Sequence, residues 1–376
     1  MVTKIFFKTR ALRFFITINF FVAKNNMLKK KWLMNFSSSY TGGGSRRLLE
    51  TAKWFDKSNG GHFIIHQKSY NLIKDYSNNN VFYVVNPNRI RRLFNDGYYL
   101  QNILNVTGTP DIYFSYGIPV FYKIGKINWF HISNALSLTT HKIDITLIQR
   151  LKMILLKHRI LNSLDNVQII SGDSEFSLNL LKTVSQKKLE SIFFSVLPNG
   201  FNECEKKNVL HAVKDEEHYA ITIGTFKYKK LSVAFHLFRF LQKKDAKLKK
   251  FIIIGNKDDL PNELRKNENV VVDIGSNREN LIHLLSNAEY YISASQIENS
   301  SIAALEGLIF SKSVVLSDIP SHREMLKDMD FEELYIDGMN DLFLVANFES
   351  NLIPPNIHSW EQATFKFYEI LENSNI

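Results

Sequence analysis

The sequence predicts an α/β protein of two Rossmann-like domains whose parallel sheets face each other across a cleft. Three observations carry this. Strand-like and helix-like runs alternate along most of the chain. The alternation breaks at Pro198-Asn199-Gly200-Phe201 and then restarts, dividing the elements into two sets. Charge divides at the same place: residues 27–195 hold 22 Lys and Arg against 10 Asp and Glu, whereas residues 196–376 hold 20 against 27. A basic half beside an acidic half implies that one domain meets an anionic ligand or surface.

In order, Trp32–Phe36 reads as the first strand, Ser37–Arg46 as a Gly/Ser loop, and Arg47–Lys57 as a helix with Leu48, Leu49, Ala52 and Phe55 on one face. Strands follow at His62–His66, Val81–Val85, Ile112–Ser115, Asn128–His131 and Gln168–Ser171. Thr146–Asn162 is a basic amphipathic helix. In the second set, Tyr219–Ile223, Phe251–Ile254, Val270–Ile274, Glu289–Ser293 and Ser313–Ser317 are strands. Lys230–Lys243 and Arg278–Asn287 are helices, and Ser359–Leu371 closes the chain as another. The expected division is residues 27–195 and 196–355 as the two domains, with 356–376 as a helix crossing back to the first.

The 376 residues suffice for two full cores, and one cysteine, Cys204, leaves neither an internal disulfide nor a cysteine-built metal site. His62 and His66 are four apart but flank a strand-like run, so they do not read as metal ligands. Asp328-Met329-Asp330 imitates a metal-binding Asp-x-Asp but lies in a late polar stretch, and reads as surface. Residues 1–26 are expected to lie outside the fold. Phe14–Ala23 behind Lys4, Lys8, Arg10 and Arg13 imitates a signal peptide, but no small-x-small cleavage site follows, and Met27 reads as a natural start. No run is long and apolar enough to span a bilayer comfortably.

The run from Ser295 to Gly307 is the most informative. Seven residues separate Glu298 from Glu306. Between them, Asn299, Ser300 and Ser301 precede an apolar helix-like stretch, and Glu289–Ala294 precedes both as a buried strand. The order strand, Glu298 loop, Glu306 helix presents backbone N–H groups at a helix start, where an anion can sit. A ligand with a diphosphate and hydroxyl groups suits such a place.

The second half resembles the retaining glycosyltransferases of family 4, which have the GT-B fold. Leu197-Pro198-Asn199-Gly200-Phe201-Asn202 matches the interdomain turn of that family. Gly224-Thr225-Phe226-Lys227-Tyr228-Lys229-Lys230 matches the loop that reaches the donor phosphates. Ile253-Ile254-Gly255, the Glu298/Glu306 pair, and Val314–Pro320 followed by Glu324 match the landmarks that come after. In the first half, Gly42-Gly43-Gly44-Ser45-Arg46 resembles the glycine-rich loop behind strand one. The resemblance spans residues 27–376 and is strong only over 196–330.

It implies roles. Lys230, with Lys227 and Lys229 as rivals, would stabilise the departing diphosphate. Glu298 would touch the donor sugar, and Glu306 would accept from the ribose hydroxyls, as a carboxylate can from two vicinal groups at once. Asn299, Ser300, Ser301, Gly224 and Thr225 would line the donor, and Gly43 and Gly44 would admit its diphosphate from the opposite wall. His131, at a strand end, would lie near the sugar; a satisfied core histidine is the competing reading. There is a departure: Thr225 stands where the family usually has an Arg, so half of the cationic clamp must come from elsewhere, with Arg46 and Lys227 as candidates. Gly255-Asn256-Lys257 also lacks a second glycine often found there.

The resemblance thus implies retaining, metal-independent transfer from a nucleotide-sugar donor to a glycan or polyprenyl-pyrophosphate-linked acceptor, with no cofactor. A non-catalytic nucleotide-sugar binding protein is the alternative that Thr225 leaves open. Nucleic-acid binding, suggested by the net charge of +10, leaves the two glutamates unexplained. Richness in Lys, Asn, Ile and Phe suits an AT-rich bacterial gene, and O-antigen or capsule synthesis at the cytoplasmic face of the inner membrane is the expected setting. The helix with Arg150, Lys152, Lys157, His158 and Arg159 either covers a core or lies on an anionic bilayer. Arg89, Arg91 and Arg92 would join that surface.

Overall fold

The computed structural model describes residues 30–87, 97–185, 189–209, 218–273, 277–339, 341–347, 356–374 and 376. The expected extension at 1–26 and the arginines at 89, 91 and 92 lie outside the described residues. The strands are β1 (Trp32–Phe36), β2 (His62–His66), β3 (Val81–Val85), β4 (Ile112–Tyr116), β5 (Ile127–Ile132), β6 (Ile169–Gly172), β7 (Phe193–Val196) and β8 (Gly200–Phe201). The second half adds β9 (His218–Ile223), β10 (Leu248–Ile254), β11 (Val270–Asp273), β12 (Tyr290–Ser293), β13 (Ser313–Ser317), β14 (Glu332–Leu334), β15 (Phe343–Asn347) and β16 (His358–Ser359). The longer helices are α1 (Gly42–Lys57), α2 (Gly97–Thr107), α3 (Leu147–Ser163), α4 (Glu175–Val184), α5 (Glu203–Val209), α6 (Leu231–Lys244), α7 (Arg278–Asn287), α8 (Ile302–Phe310), α9 (Pro320–Leu326) and α10 (Trp360–Asn373).

The first sheet runs β3-β2-β1-β4-β5-β6-β7 and is parallel throughout. Its inner strands β1, β4, β5 and β6 are buried on both faces, so they read as largely continuous apolar runs rather than alternating ones. Trp32, Met34 and Phe36 of β1 pack with Leu48, Ala52 and Phe55 of α1 and with Phe367, Ile370 and Leu371 of α10. Leu33 turns to the other face, among Ile103 of α2, Ile160 of α3 and Leu178 of α4. The last helix therefore completes the core of the first domain.

The second sheet runs β11-β10-β9-β12-β13-β15-β14. It corrects the expectation of parallel sheets at one edge: β15 is antiparallel to β13, and β14 to β15. These strands follow α9 without a further helical crossover, and a return without a crossover must be antiparallel. β8 and β16 come from the two chain crossings between the domains and pair with each other, parallel, Gly200 with His358 and Phe201 with Ser359. Gly200 is obligatory there, since a Cβ would lie 2.7 Å from the backbone of Trp360.

A second correction concerns α1, which begins at Gly42 rather than Arg47. The three glycines form its first turn, not a loop. Helix α3, for which the sequence leaves two readings, places Leu156 and Ile160 in the core. Its Leu147, Ile148, Leu151 and Ile154 do not face the core but are 60–70% exposed. Among the described residues, no helix is long and apolar enough to cross a membrane.

Candidate active site between the two sheets

The C-terminal ends of both sheets meet. Ser174, just after β6, donates to the carbonyl of Asn299, after β12, at 2.5 Å. Asn299 in turn donates to the carbonyl of Ile132 at the end of β5 (2.8 Å) and to Asp173 (2.5 Å). Crevices at strand C-termini are where open α/β sheets bind ligands.

Two helix starts oppose each other there. Thr41 makes no side-chain cap to α1, so the first-turn N–H groups of its glycines are left for other partners. A Cβ on Gly43 would lie 3.2 Å from Cδ1 of Ile302, the first residue of α8. Ser301 caps α8, accepting from the N–H of Ala304 at 3.2 Å. Helix α8 seats closely because residue 307 is glycine: a Cβ would enter the ring of Tyr291 on β12. Glu306 is thereby fixed one turn into a buried helix.

Glu306 is 5% exposed and pairs with Nη1 of Arg278 at 2.7 Å. Burial raises its carboxyl above the usual glutamate value, against the pull of Arg278. Arg278 also grips Glu205 (Nη2–Oε2 2.6 Å), and Glu205 accepts from Arg46 of α1 at 3.1 Å. Arg46, a candidate phosphate support, is thus tied to both Glu205 and Glu50 (3.2 Å). The chain Arg46–Glu205–Arg278–Glu306 crosses between the domains.

The loop after β9 supplies the lysines. Gly224 has φ of +98°, and its N–H donates to the carbonyl of Ile254 at 2.8 Å. Thr225 meets Asp259 at 3.4 Å. Lys227 is exposed. Lys229, not Lys230, holds Glu298, whose other donor is Ser295 Oγ at 2.7 Å. Lys230 takes the left-handed backbone (φ +50°). Its ammonium reaches Asp144 of the first domain at 2.5 Å. The N–H of Gln296 donates to the carbonyl of Tyr228 at 2.8 Å, which ties the lysine loop to the Glu298 loop.

His131 lies deeper than a strand-end residue need. It is fully buried, with Nδ1 on Ser171 Oγ (2.9 Å), Nε2 on Asp173 (3.1 Å) and its ring stacked on Tyr116. Burial holds its pKa below the ordinary value, opposed by Asp173. Asp173 also accepts from Arg47 (2.8 Å), and Arg47 donates to the carbonyl of Leu197 and to Asn199 Oδ1. Asn199 Nδ2 returns the link to the carbonyl of Ser300 at 2.8 Å. The side chain of Asn299 and the carbonyl of Ser300 thus pin the domains together. Arg47, Asp173, Asn199, Arg278 and Glu205 escaped the sequence reading. Asp173, a carboxylate directly behind a strand, carried a usable signal; the others acquire meaning only from partners distant in the chain, between 28 and 159 residues away.

Two opposed Rossmann-like domains, a ribbon of crossing strands and a final helix returning to the first domain define the GT-B class of fold. Comparison with known proteins agrees. Residues 205–341 match the family model described as Glycosyl transferases group 1. No curated protein matches the chain in sequence. Among solved structures, the chain is similar to Anabaena Alr3699/HepE in complex with UDP and glucose, with a TM-score of 0.55 and 12% identity over 92% of this chain and 91% of that one. It is similar to the Candida albicans trehalose-6-phosphate phosphatase N-terminal domain (TM-score 0.61, 12% identity, 93% and 97% covered). An E. coli trehalose-6-phosphate protein bound with UDP-2-fluoro glucose gives 0.53 and 11%, with 80% and 87% covered. The fold is GT-B, and within the second half residues 205–341 match the glycosyltransferase group 1 model.

Proposed function

We propose that the protein transfers a sugar from a nucleotide-sugar donor to a glycan or polyprenyl-pyrophosphate-linked acceptor, with retention at the anomeric carbon and without a metal. Assembly of a bacterial surface polysaccharide, O-antigen or capsule, is the setting this reading favours. The observation that carries it is the opposition of two helix starts across the cleft, with Glu298 and the buried Glu306 on the same segment as one of them. The relatives in complex with UDP, glucose or UDP-2-fluoro glucose support a donor of this class.

In this reading the bond from the anomeric carbon to the diphosphate breaks and its electron pair stays on the phosphate oxygen. The acceptor hydroxyl oxygen bonds the same carbon, and its proton passes to the departing phosphate. N–H groups of Gly43 and Gly44 and of the α8 start stabilise the diphosphate, joined by a lysine. Lys230 suits that task because its partner Asp144 is exposed, and an exposed pair costs little to open. Lys229 instead orients Glu298 toward the sugar. Arg278 releases Glu306 to the ribose hydroxyls when the nucleotide arrives. Closure excludes water and limits donor hydrolysis.

A thermal-shift screen of UDP-, GDP-, ADP- and dTDP-sugars tests this. One nucleotide should raise the melting temperature; Glu306→Ala should abolish the shift and Lys230→Ala weaken it. Equal shifts in wild type and both variants would sink the assignment. The binding-only alternative, which Thr225 favours by replacing a cation, predicts the same shift with no turnover in any acceptor screen.

A further inference from the structure

Helix α3 is apolar on two opposite sides. Its inner side, with Leu156 and Ile160, joins the core of the first domain. Its outer side presents Leu147, Ile148, Leu151 and Ile154 to solvent. Spacings of four and three residues put Leu147, Leu151 and Ile154 in one stripe. At about 100° per residue, Arg150 and Lys157 fall along one border of that stripe and Lys152 along the other. No Asp or Glu occurs from residue 147 to 163. The helix is well anchored: Thr146 and Gln149 form a capping box, and Arg159 stacks on Phe121 at 4.6 Å. A contiguous exposed apolar patch with a polar rim marks an interaction surface.

The charge pattern selects the occupant. A second copy docking the same face would bring cations against cations with no acid on either helix to compensate. A bilayer containing anionic lipid takes the apolar stripe at its headgroup–acyl boundary and pairs with cations on both borders, whose long stems reach the headgroups.

The stripe is also wired to the cleft. Ile143, buried just upstream, packs with Ala135 and with Ile297 of the Glu298 loop. The N–H of Asp144 donates to Gln296 Oε1 at 2.9 Å, and its carboxylate holds Lys230. We propose that α3 is an interfacial docking helix for anionic membrane. On the transfer reading above, it holds the mouth of the cleft at the surface where a lipid-linked acceptor lies.

The full chain is sedimented with vesicles of phosphatidylethanolamine containing phosphatidylglycerol, and with phosphatidylcholine vesicles. Wild type should bind the first, release as salt rises, and ignore the second. Leu151→Gln with Ile154→Gln, both at exposed positions, should cut binding about tenfold while leaving melting temperature and any nucleotide-sugar shift intact. Arg150→Glu with Lys152→Glu should cut it comparably. Binding of the Gln variant equal to wild type overturns the proposal. So does a dimer in light scattering that the Gln variant abolishes, without vesicle binding, which would assign the face to a second copy. A missing nucleotide-sugar shift in wild type sinks the transfer reading and leaves the vesicle result standing.

Discussion

Asp173 joins both domains through one buried carboxylate. His131, Arg47 and Asn299 all meet its buried carboxylate. Removing one partner of a buried ion pair leaves an uncompensated charge and costs about 3–5 kcal/mol. Arg47→Met should therefore lower the unfolding free energy by about that amount in urea denaturation, and a loss of under about 1 kcal/mol would contradict the buried pairing. His131 adds a pH dependence. Its folded pKa lies below the ordinary 6.5, chiefly through burial. The unfolded chain then binds the proton more readily, so His131's contribution is intact above pH 6.5 and is lost as pH falls through the folded value. His131→Gln should flatten that part of the stability–pH curve. Glu306 behaves in the opposite sense, its carboxyl raised by burial. Nucleotide-sugar binding should weaken on acidification at a higher pH than an ordinary glutamate would set, a trend measurable by titration calorimetry.

At the scale of elements, the crossing ribbon and the α1 start are the sensitive points. Gly200→Ala would drive a methyl into the backbone of Ser359 and Trp360, and overpacking of this kind typically costs about 1–3 kcal/mol. Its melting temperature should drop while each sheet keeps its far-UV signal. Gly43→Val places a branched side chain where even a Cβ nears Ile302 at 3.2 Å. It should weaken the nucleotide-sugar shift with little change in stability. Unchanged affinity in Gly43→Val would remove α1 from the diphosphate site. The α1 start itself was misread because three glycines signal a loop. The helix forms anyway because Leu48, Ala52 and Phe55 bury its next turns, and tertiary packing overrides propensity.

At the scale of the whole molecule, polar links join the described parts of the two domains alongside a small apolar contact of Ile143 and Ala135 with Ile297. Glu324 of α9 accepts from the N–H groups of Glu175 and Phe176 (2.7 and 3.1 Å), capping α4 from the other domain. A carboxylate at a helix N-terminus is favourable, and it is cheap to detach in water. Such a seam holds a closed cleft and still opens for substrate. Glu324→Ala should enlarge the radius of gyration in small-angle scattering without unfolding either domain. An unchanged radius would show that the other interdomain links, of Arg47, Arg46–Glu205 and Lys230–Asp144, hold closure without Glu324.

The sequence by itself determined the two βα series, the break between them and the Glu298/Glu306 segment, because apolar periodicity and short-range spacing are local properties. Lys229 was already a rival of Lys230 there, but which side chain reaches Glu298 depends on where Glu298 and Asp144 lie in the folded chain. Tertiary structure alone decided the antiparallel edge at β15 and β14, the deep seat of His131, and the outward turn of Leu147, Leu151 and Ile154. The physical reason is common to all three. A helix or strand pattern states that a face is apolar, whereas what covers that face, or leaves it bare, depends on partners contributed from distant parts of the chain.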